Sequence, residues 1–245
     1  MSDIQKAAIV TGASRGIGRA VALRLAREGF AVVVNYAGNQ AEANKVVGEI
    51  ESAGGKAIPV RADVSKTPDV VHLFDETEKA FGGVDVLVNN AGVMALKPIA
   101  EIEDELFDRT FAINVRGTFN TLKQAAKRVR SGGRIINFST SVIPLTLPGY
   151  AVYGASKAAV EVMTTVLTKE LRGRNVTVNT VAPGPVGTEL FLEGKTPEQI
   201  DRLAKLNPFE RLGQPEDIAK VVAFLAGPDE AWINGQTLRA NGGMI

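Results

Sequence analysis

The sequence predicts an α/β fold, doubly wound about a parallel sheet, and three observations carry that reading. Short β-branched runs alternate with longer stretches of helical periodicity. Several of those runs are apolar almost throughout (Val32-Val33-Val34, Val86-Leu87-Val88), as in parallel strands covered on both faces. No Pro/Gly/Ser-rich linker, internal repeat or low-complexity tract divides the 245 residues, which read as one domain, 1–245.

Residues 7–11, 31–35, 57–61, 84–89, 134–139, 176–182 and 236–239 read as strands. A helix follows the first, with Ile17, Ala20, Val21 and Leu25 on its apolar face and its end at Gly29. Further helices are read over 40–53, 68–80, 104–130, 153–172 and 215–226, with Pro68 and Pro215 suited to a first helical turn. Strands separated by helices imply right-handed βαβ crossovers and so helices on both faces of the sheet. After the sixth strand, residues 183–208 form an unusually long connection carrying Gly184, Gly187 and Gly194. A connection of that length in a compact domain reads as a lid over a binding site.

Composition removes several classes of function. The chain is 45% apolar and 22% charged, with 28 Lys plus Arg against 27 Asp plus Glu. That balance gives no electrostatic footprint for nucleic acid or an anionic membrane. With no Cys, a disulfide framework, a thiolate zinc site and a cysteine nucleophile are all excluded. The single His72, in a polar helical stretch, reads as a surface residue, and no metal site is expected. The best apolar run, 218–227, is too short to span a bilayer and contains Lys220. Residues 1–6 have no basic segment leading into an apolar one, so no signal peptide and a cytoplasmic location are expected.

Directly after the first strand comes Thr11-Gly12-Ala13-Ser14-Arg15-Gly16-Ile17-Gly18. Glycines at 12, 16 and 18 permit a tight turn, close approach of a ligand to the backbone, and close helix–sheet packing. The open N–H groups and dipole of the next helix then favour a pyrophosphate. The acid that usually binds the ribose diol at the end of strand two is missing, for the chain reads Asn35-Tyr36-Ala37-Gly38-Asn39. An Asp there would repel a 2′-phosphate, whereas Arg15 is placed to attract one, so NADP(H) is the expected cofactor. The alternative for Arg15 is a solvated residue at a helix start.

Tyr153 and Lys157 lie four apart on a predicted helix and share a face. Thirteen residues earlier, at the end of strand five, stand Ser139-Thr140-Ser141. These elements suit carbonyl reduction. A phenol lowered by a nearby ammonium can donate its proton to the carbonyl oxygen, while a second hydroxyl holds that oxygen as charge develops. Capping at the strand end is the other use for the hydroxyls. Asn114 falls on a mostly apolar helical face with Phe107, Phe111 and Thr118, where satisfying a buried backbone group is the first reading.

Six pieces together resemble the short-chain dehydrogenase/reductase family over essentially the whole chain: the Gly-rich turn, Asp63-Val64, Asn89-Asn90-Ala91-Gly92, Asn114, Tyr153-Gly154-Ala155-Ser156-Lys157, and Val178-Asn179-Thr180-Val181-Ala182-Pro183-Gly184. The closest look is to tetrahydroxynaphthalene-reductase-like and 3-oxoacyl-(acyl carrier protein)-reductase-like members. The resemblance implies a single Rossmann-type domain with a seven-stranded parallel sheet, assembled as a homotetramer through helices 104–130 and 153–172. It implies that Tyr153 is the general acid/base, that Lys157 binds the nicotinamide ribose and lowers the tyrosine, and that Asn114 holds a water in a proton relay. Gly12, Ser14, Arg15, Gly16, Ile17 and Gly18 would cradle the cofactor, with Asn35, Tyr36 and Ala37 at its 2′-phosphate end. Asp63 and Val64 would flank the adenine, Asn90, Ala91 and Gly92 the ribose, and Pro183, Gly184, Val186 and Thr188 the carboxamide and lid. The family's serine falls by ungapped count on Thr140, with Ser141 the second choice if the strand breaks there.

The expected function is NADPH-dependent reduction of a ketone or 3-oxo group on a small molecule. Two rivals stay in view: the same machinery run as an NADP-dependent alcohol dehydrogenase, and a non-catalytic NADP(H)-binding sensor or scaffold. The substrate cleft is expected to be lined by Met94 and by residues 142–150 and 189–195.

Overall fold

The computed structural model describes residues 5–94 and 96–245; four of the residues on which the signal-peptide reading rested, 1–4, lie outside them. Seven parallel strands form one sheet in the order β3-β2-β1-β4-β5-β6-β7. They are β1 (Ala7–Val10), β2 (Ala31–Tyr36), β3 (Ala57–Arg61), β4 (Val84–Asn89), β5 (Val129–Phe138), β6 (Thr177–Pro183) and β7 (Thr237–Ala240). The pleat sends alternate residues to opposite layers. Ala8 and Val10 of β1 meet Val32 and Val34 of β2 in one core, whereas Ile9 and Val33 enter the other. The first core is closed by α1 (Gly16–Arg27), α2 (Gln40–Ser52) and α9 (Pro215–Ala226). The second is closed by α3 (Thr67–Phe81), α5 (Gly117–Arg128) and α6 (Ala151–Glu170).

The chain runs outward from β1 to β3 and then restarts at β4 on the other side of β1. The crevice between the carboxyl ends of β1 and β4 is therefore the switch point at which ligands bind in such sheets. Thr11 ties its walls together. Its hydroxyl accepts from the backbone N–H groups of Asn90 and Ala91, each at 3.0 Å.

The predicted helix over 104–130 is not continuous. It divides into α4 (Asp104–Phe111), a π-helical turn (Ala112–Arg116) and α5, and β5 begins at Val129 instead of 134. Two contacts account for the wide turn. Asn114 is held to both backbone polar groups of Val93, and Gly117 lies so close to Val64 that a Cβ there would meet its side chain at 2.6 Å. Such π-turns shift a side chain out of helical register. The segment read as a loop also differs, because it contains α7 (Glu189–Leu192) and α8 (Pro197–Ala204). The start of α8 was legible: Thr196-Pro197-Glu198-Gln199 forms a capping box with Pro at its first position.

Beneath α6 a chain of buried side-chain hydrogen bonds crosses three strands. Asn89 donates to Asn137 and Asn137 to Thr164, while Thr180 donates to the same Thr164 hydroxyl, each at 2.8 Å. This chain orders β4, β5 and β6 under the helix that carries Tyr153 and Lys157. Asn137→Leu leaves the Asn89 amide without its acceptor and is expected to cost about 1–3 kcal/mol in urea unfolding. Adding Asn89→Leu should recover part of that loss, and a double variant weaker than the sum of the singles would contradict the assignment.

Candidate active site

Gly12 and Gly16 hold φ of 62° and 55°, left-handed values that an L side chain adopts only with strain. Gly18 is buried so close to the Gly12 carbonyl and the Asn90 amide that a Cβ there would collide with both. The turn delivers the N-terminus of α1 to the crevice, with no acidic residue in its first turn to offset the dipole. Ser14 is partly exposed there, and Ile17 lines the cleft. Arg15 is exposed and forms an ion pair at 3.0 Å with Glu189, the first residue of α7. That partner was not foreseen.

Two of the residues expected at the 2′-phosphate end do not present side chains to it. Asn35 is buried, accepting from Gly12 N at 3.2 Å and donating to the carbonyls of Val60 and Ala62 at 3.2 and 3.0 Å. It braces the turn from behind. Tyr36 is packed in the core between the sheet and α2. Both sit on a strand flanked on each side, so an apolar or internally paired side chain is what the position demands. Ala37 is exposed at the strand end. At the end of β3 the Asp63 carboxylate accepts from the N–H and hydroxyl of Ser65, and Val64 is buried against Gly117.

On the other side of the switch point, Asn90 donates to the carbonyls of Thr11 and Gly12 at 2.9 and 3.1 Å. Ala91 closes over Gly12, where a Cβ would lie 3.0 Å from the Ala91 Cα. A Cβ on Gly92 would lie 3.2 Å from Asn114 Oδ1 and 3.3 Å from Lys157 Nζ, so the space beside the ammonium is kept open by glycine.

Tyr153 and Lys157 share the face of α6 that meets the end of β5, where the three hydroxyls part company. Ser139 donates to Glu161. Ser141 is fully buried, donating to Ala182 O at 2.9 Å and accepting from Asn241 at 3.1 Å. Thr140 faces the cleft that Tyr153 also lines, its hydroxyl accepting from Val142 N at 3.3 Å and lying near enough to the phenol to lower it. Lys157 donates to Phe138 O at 3.0 Å. Asn114 joins this group through Ser156, to which it donates at 3.0 Å, and Ser156 in turn donates to Tyr153 O at 2.7 Å. Its side chain thus does satisfy buried backbone groups, and its carbonyl accepts from Thr118 at 2.8 Å. Ser156 and Glu161 were not singled out from sequence, although Ser156 stands inside the Tyr-Gly-Ala-Ser-Lys segment.

Burial governs the electrostatics of this group. It pushes the Tyr153 phenol up to about 12, against the lowering effect of the Thr140 hydroxyl, and pulls Lys157 down to about 8. Desolvation is the largest influence on the phenol, and the Lys157 ammonium is directed to Phe138 O.

The cleft above these residues encloses about 940 Å³, its open mouth included. Met94, Val142, Leu145, Leu147 and Tyr150 line it as expected, with Leu190 and Phe191 from α7. Ile143 instead lines a neighbouring surface cleft. Pro183, Gly184, Val186 and Thr188 form the near wall. Paired hydrogen bonds with Gly213 pin this stretch, at 2.9 Å from Gly187 N to Gly213 O and from Gly213 N to Pro185 O.

A family model described as enoyl-(acyl carrier protein) reductase matches residues 12–245. A short-chain type dehydrogenase/reductase of Picea abies is 48% identical over 250 residues, covering 98% of this chain and 92% of the relative. The chain belongs to the short-chain dehydrogenase/reductase family. An Arabidopsis thaliana protein named NADPH-dependent aldehyde reductase-like, chloroplastic, is 44% identical, covering 98% of this chain and 94% of its own. Among solved structures, the angucycline C-6 ketoreductase LanV with bound NADP superposes with a TM-score of 0.92 at 39% identity, covering 99% and 96% of the two chains. As a family member the protein is an oxidoreductase of carbonyl and alcohol groups.

The lowered Lys157 makes a testable statement about stability. Its folded value of about 8 lies below the ordinary 10.5, so between those values the unfolded chain binds more protons and stability rises with pH. Lys157→Met is expected to unfold at higher urea than the parent at pH 7, by on the order of a few kcal/mol. That advantage should shrink as pH rises from 8 to 10.5. A difference independent of pH would place the lysine in a solvated environment.

Proposed function

We propose that the protein is an NADPH-dependent reductase that converts a ketone or 3-oxo group of a small molecule to a secondary alcohol, with Tyr153 as proton donor. The observation that carries this reading is the placing of the Tyr153 and Thr140 hydroxyls in one cleft, next to Lys157. Two hydroxyls converging on one point suit an oxygen that gains negative charge. A phenol held near 12 is protonated at neutral pH, which is the form needed to donate to a carbonyl oxygen.

The crevice fits a dinucleotide. The N-terminus of α1 offers open N–H groups for a pyrophosphate, and a side chain at 92 would crowd the Lys157 ammonium. When bound, the nicotinamide supplies the hydride. Thr140 would orient the substrate carbonyl, Tyr153 would protonate its oxygen, and Lys157 would bind the ribose beside Gly92. Asn114, its side chain spent on Val93 and Ser156, would hold the α6 side of the site in register and position the relay water through its carbonyl. NADP(H) is supported by the NADPH-dependent relative, the NADP-bound ketoreductase, and the missing acid at the end of β2. Arg15 would leave Glu189 to meet the 2′-phosphate.

A tetramer is supported by two separate apolar surfaces. One lies on α5 and α6 with Phe119, Val162 and Val166, Val162 being 63% exposed; the other lies on α9 and the turn after it, where Phe224 and Trp232 are exposed. Two such faces, each suited to a two-fold contact with another copy, are what a closed tetramer requires.

Tyr153→Phe is expected to lower kcat by about 10²–10⁴-fold with NADPH affinity held within a few-fold; a variant that keeps most of its rate would remove Tyr153 from the reaction. Separately, Arg15→Ala should erode the preference for NADPH over NADH by roughly 10- to 150-fold. An unchanged ratio would assign the discrimination to other groups.

A further inference from the structure

Away from the Gly-rich turn, the cleft walls are apolar: Leu145, Leu147, Phe191, Leu203, Leu206 and Met244 all face it. Among the described lining residues the ionisable side chains are Tyr150, Tyr153 and Lys157, with no Asp, Glu, Arg or His. Lys157 is already directed at Phe138 O. A carboxylate or phosphate taken into this space would lose its water without gaining a counter-ion, a cost of several kcal/mol. The portion of the substrate that enters is therefore uncharged.

The polar side chains of the lining are nearly all spent. Asn90 donates to Thr11 and Gly12, Ser139 to Glu161, and Thr188 caps α7 by accepting from Phe191 N. Thr140 accepts from Val142 N at 3.3 Å. The two phenols of the cleft are the exceptions: Tyr153, assigned above to the reacting oxygen, and Tyr150. Tyr150 is half-buried in the cleft wall, and its phenol has no hydrogen-bond partner among the described residues. A tyrosine packed this way usually finds a partner for its hydroxyl.

Its position is also fixed. Tyr150 is the residue that opens α6, its N–H donating to Leu147 O at 3.2 Å and its carbonyl accepting from Gly154 N at 2.7 Å. Tyr153 stands three positions further on, which puts the two side chains next to each other on the helix, roughly 5–6 Å apart at Cβ. The two phenols are near enough that Tyr150 raises Tyr153.

We propose that Tyr150 hydrogen-bonds a second oxygen, a hydroxyl or carbonyl a few bonds from the reacting carbonyl, on an uncharged and otherwise apolar substrate. This rests on the reductase reading above and adds to it the substrate class and the residue that selects it. Tyr153 acts on the reacting oxygen and Tyr150 on its neighbour.

The test uses three aryl ketones of one framework: propiophenone, β-hydroxypropiophenone and β-benzoylpropionate. With NADPH, the parent protein is expected to favour the hydroxy ketone over propiophenone by about fivefold to tenfold in kcat/KM, as one neutral hydrogen bond allows. Tyr150→Phe should reduce that ratio to within about twofold, and β-benzoylpropionate should be the poorest of the three. Equal losses on both neutral ketones would mean that Tyr150 acts through Tyr153, and would overturn the proposal. So would an unchanged ratio, or charged and neutral ketones reduced alike. Calorimetric titration of the hydroxy ketone into the NADP⁺-loaded Tyr153→Phe protein, with and without Tyr150→Phe, measures recognition apart from turnover. Weaker binding on loss of the Tyr150 hydroxyl would uphold the proposal even if no ketone is reduced, in which case the reductase reading fails alone. Absence of any such difference would overturn it.

Discussion

Everything at the site depends on how β1 and β4 are held together at their carboxyl ends. One hydroxyl does much of this: Thr11 donates to Val88 O at 3.2 Å and accepts from the N–H groups of Asn90 and Ala91. Asn90 returns the contact by donating to Thr11 and Gly12. The Gly-rich turn leaves β1 and the loop carrying Gly92 leaves β4, so this joint sets the distance between the phosphate cradle and the reaction centre. Asn35 supports the turn from the opposite side through Gly12 N. The crevice is thus built before any ligand arrives, as a site that binds a dinucleotide across two half-sheets requires.

A second joint aligns the chemistry itself. The end of β5 meets α6 through hydrogen bonds from Lys157 to Phe138 and from Ser139 to Glu161, with Thr140 facing the cleft beside Tyr153. Three consecutive residues of the strand face three residues spread over two turns of the helix. The middle contact involves neither the phenol nor the ammonium, and it fixes the register of the other two. Holding a lysine in this seam works against stability at neutral pH, since burial disfavours its charged form, whereas the buried phenol stays neutral. The surrounding polar chain from Asn89 to Thr180 and the Asn114–Ser156 link supply the rigidity that keeps the arrangement in place.

The cleft combines a firm side with one made of less deeply packed segments. Pro183 to Thr188 are pinned by Gly213 and by the approach of Gly184 to Asn241, where a Cβ would stand 2.8 Å away. Beyond them α7 and α8 contain no buried residue, and they offer Leu190, Phe191, Leu203 and Leu206 to the cleft. The ion pair from Arg15 to Glu189 joins this segment to the cofactor turn. Both partners are well exposed, so the pair is worth at most about 1 kcal/mol and is easily exchanged for another anion.

Much of the fold and many of the site positions were legible in the sequence by itself. Parallel strands buried on both faces leave apolar runs, glycines mark the turn that must approach a phosphate, and Tyr153 and Lys157 share a face because helical spacing dictates it. Local pattern ends where contacts between distant segments begin. The break in the 104–130 helix follows from Val93 and Val64, which lie more than twenty and fifty residues away. Nothing in Ser139-Thr140-Ser141 says which hydroxyl faces the cleft; Glu161, Ala182 and Asn241 claim the outer two and leave Thr140 beside Tyr153. Asn35 and Tyr36 turned inward because their strand is flanked on both sides. Burial raises the tyrosine, and desolvation is a property of the packed site and not of sequence distance. Sequence alone determined the sheet, its switch point and the reacting residue types; the tertiary structure decided which of their atoms meet.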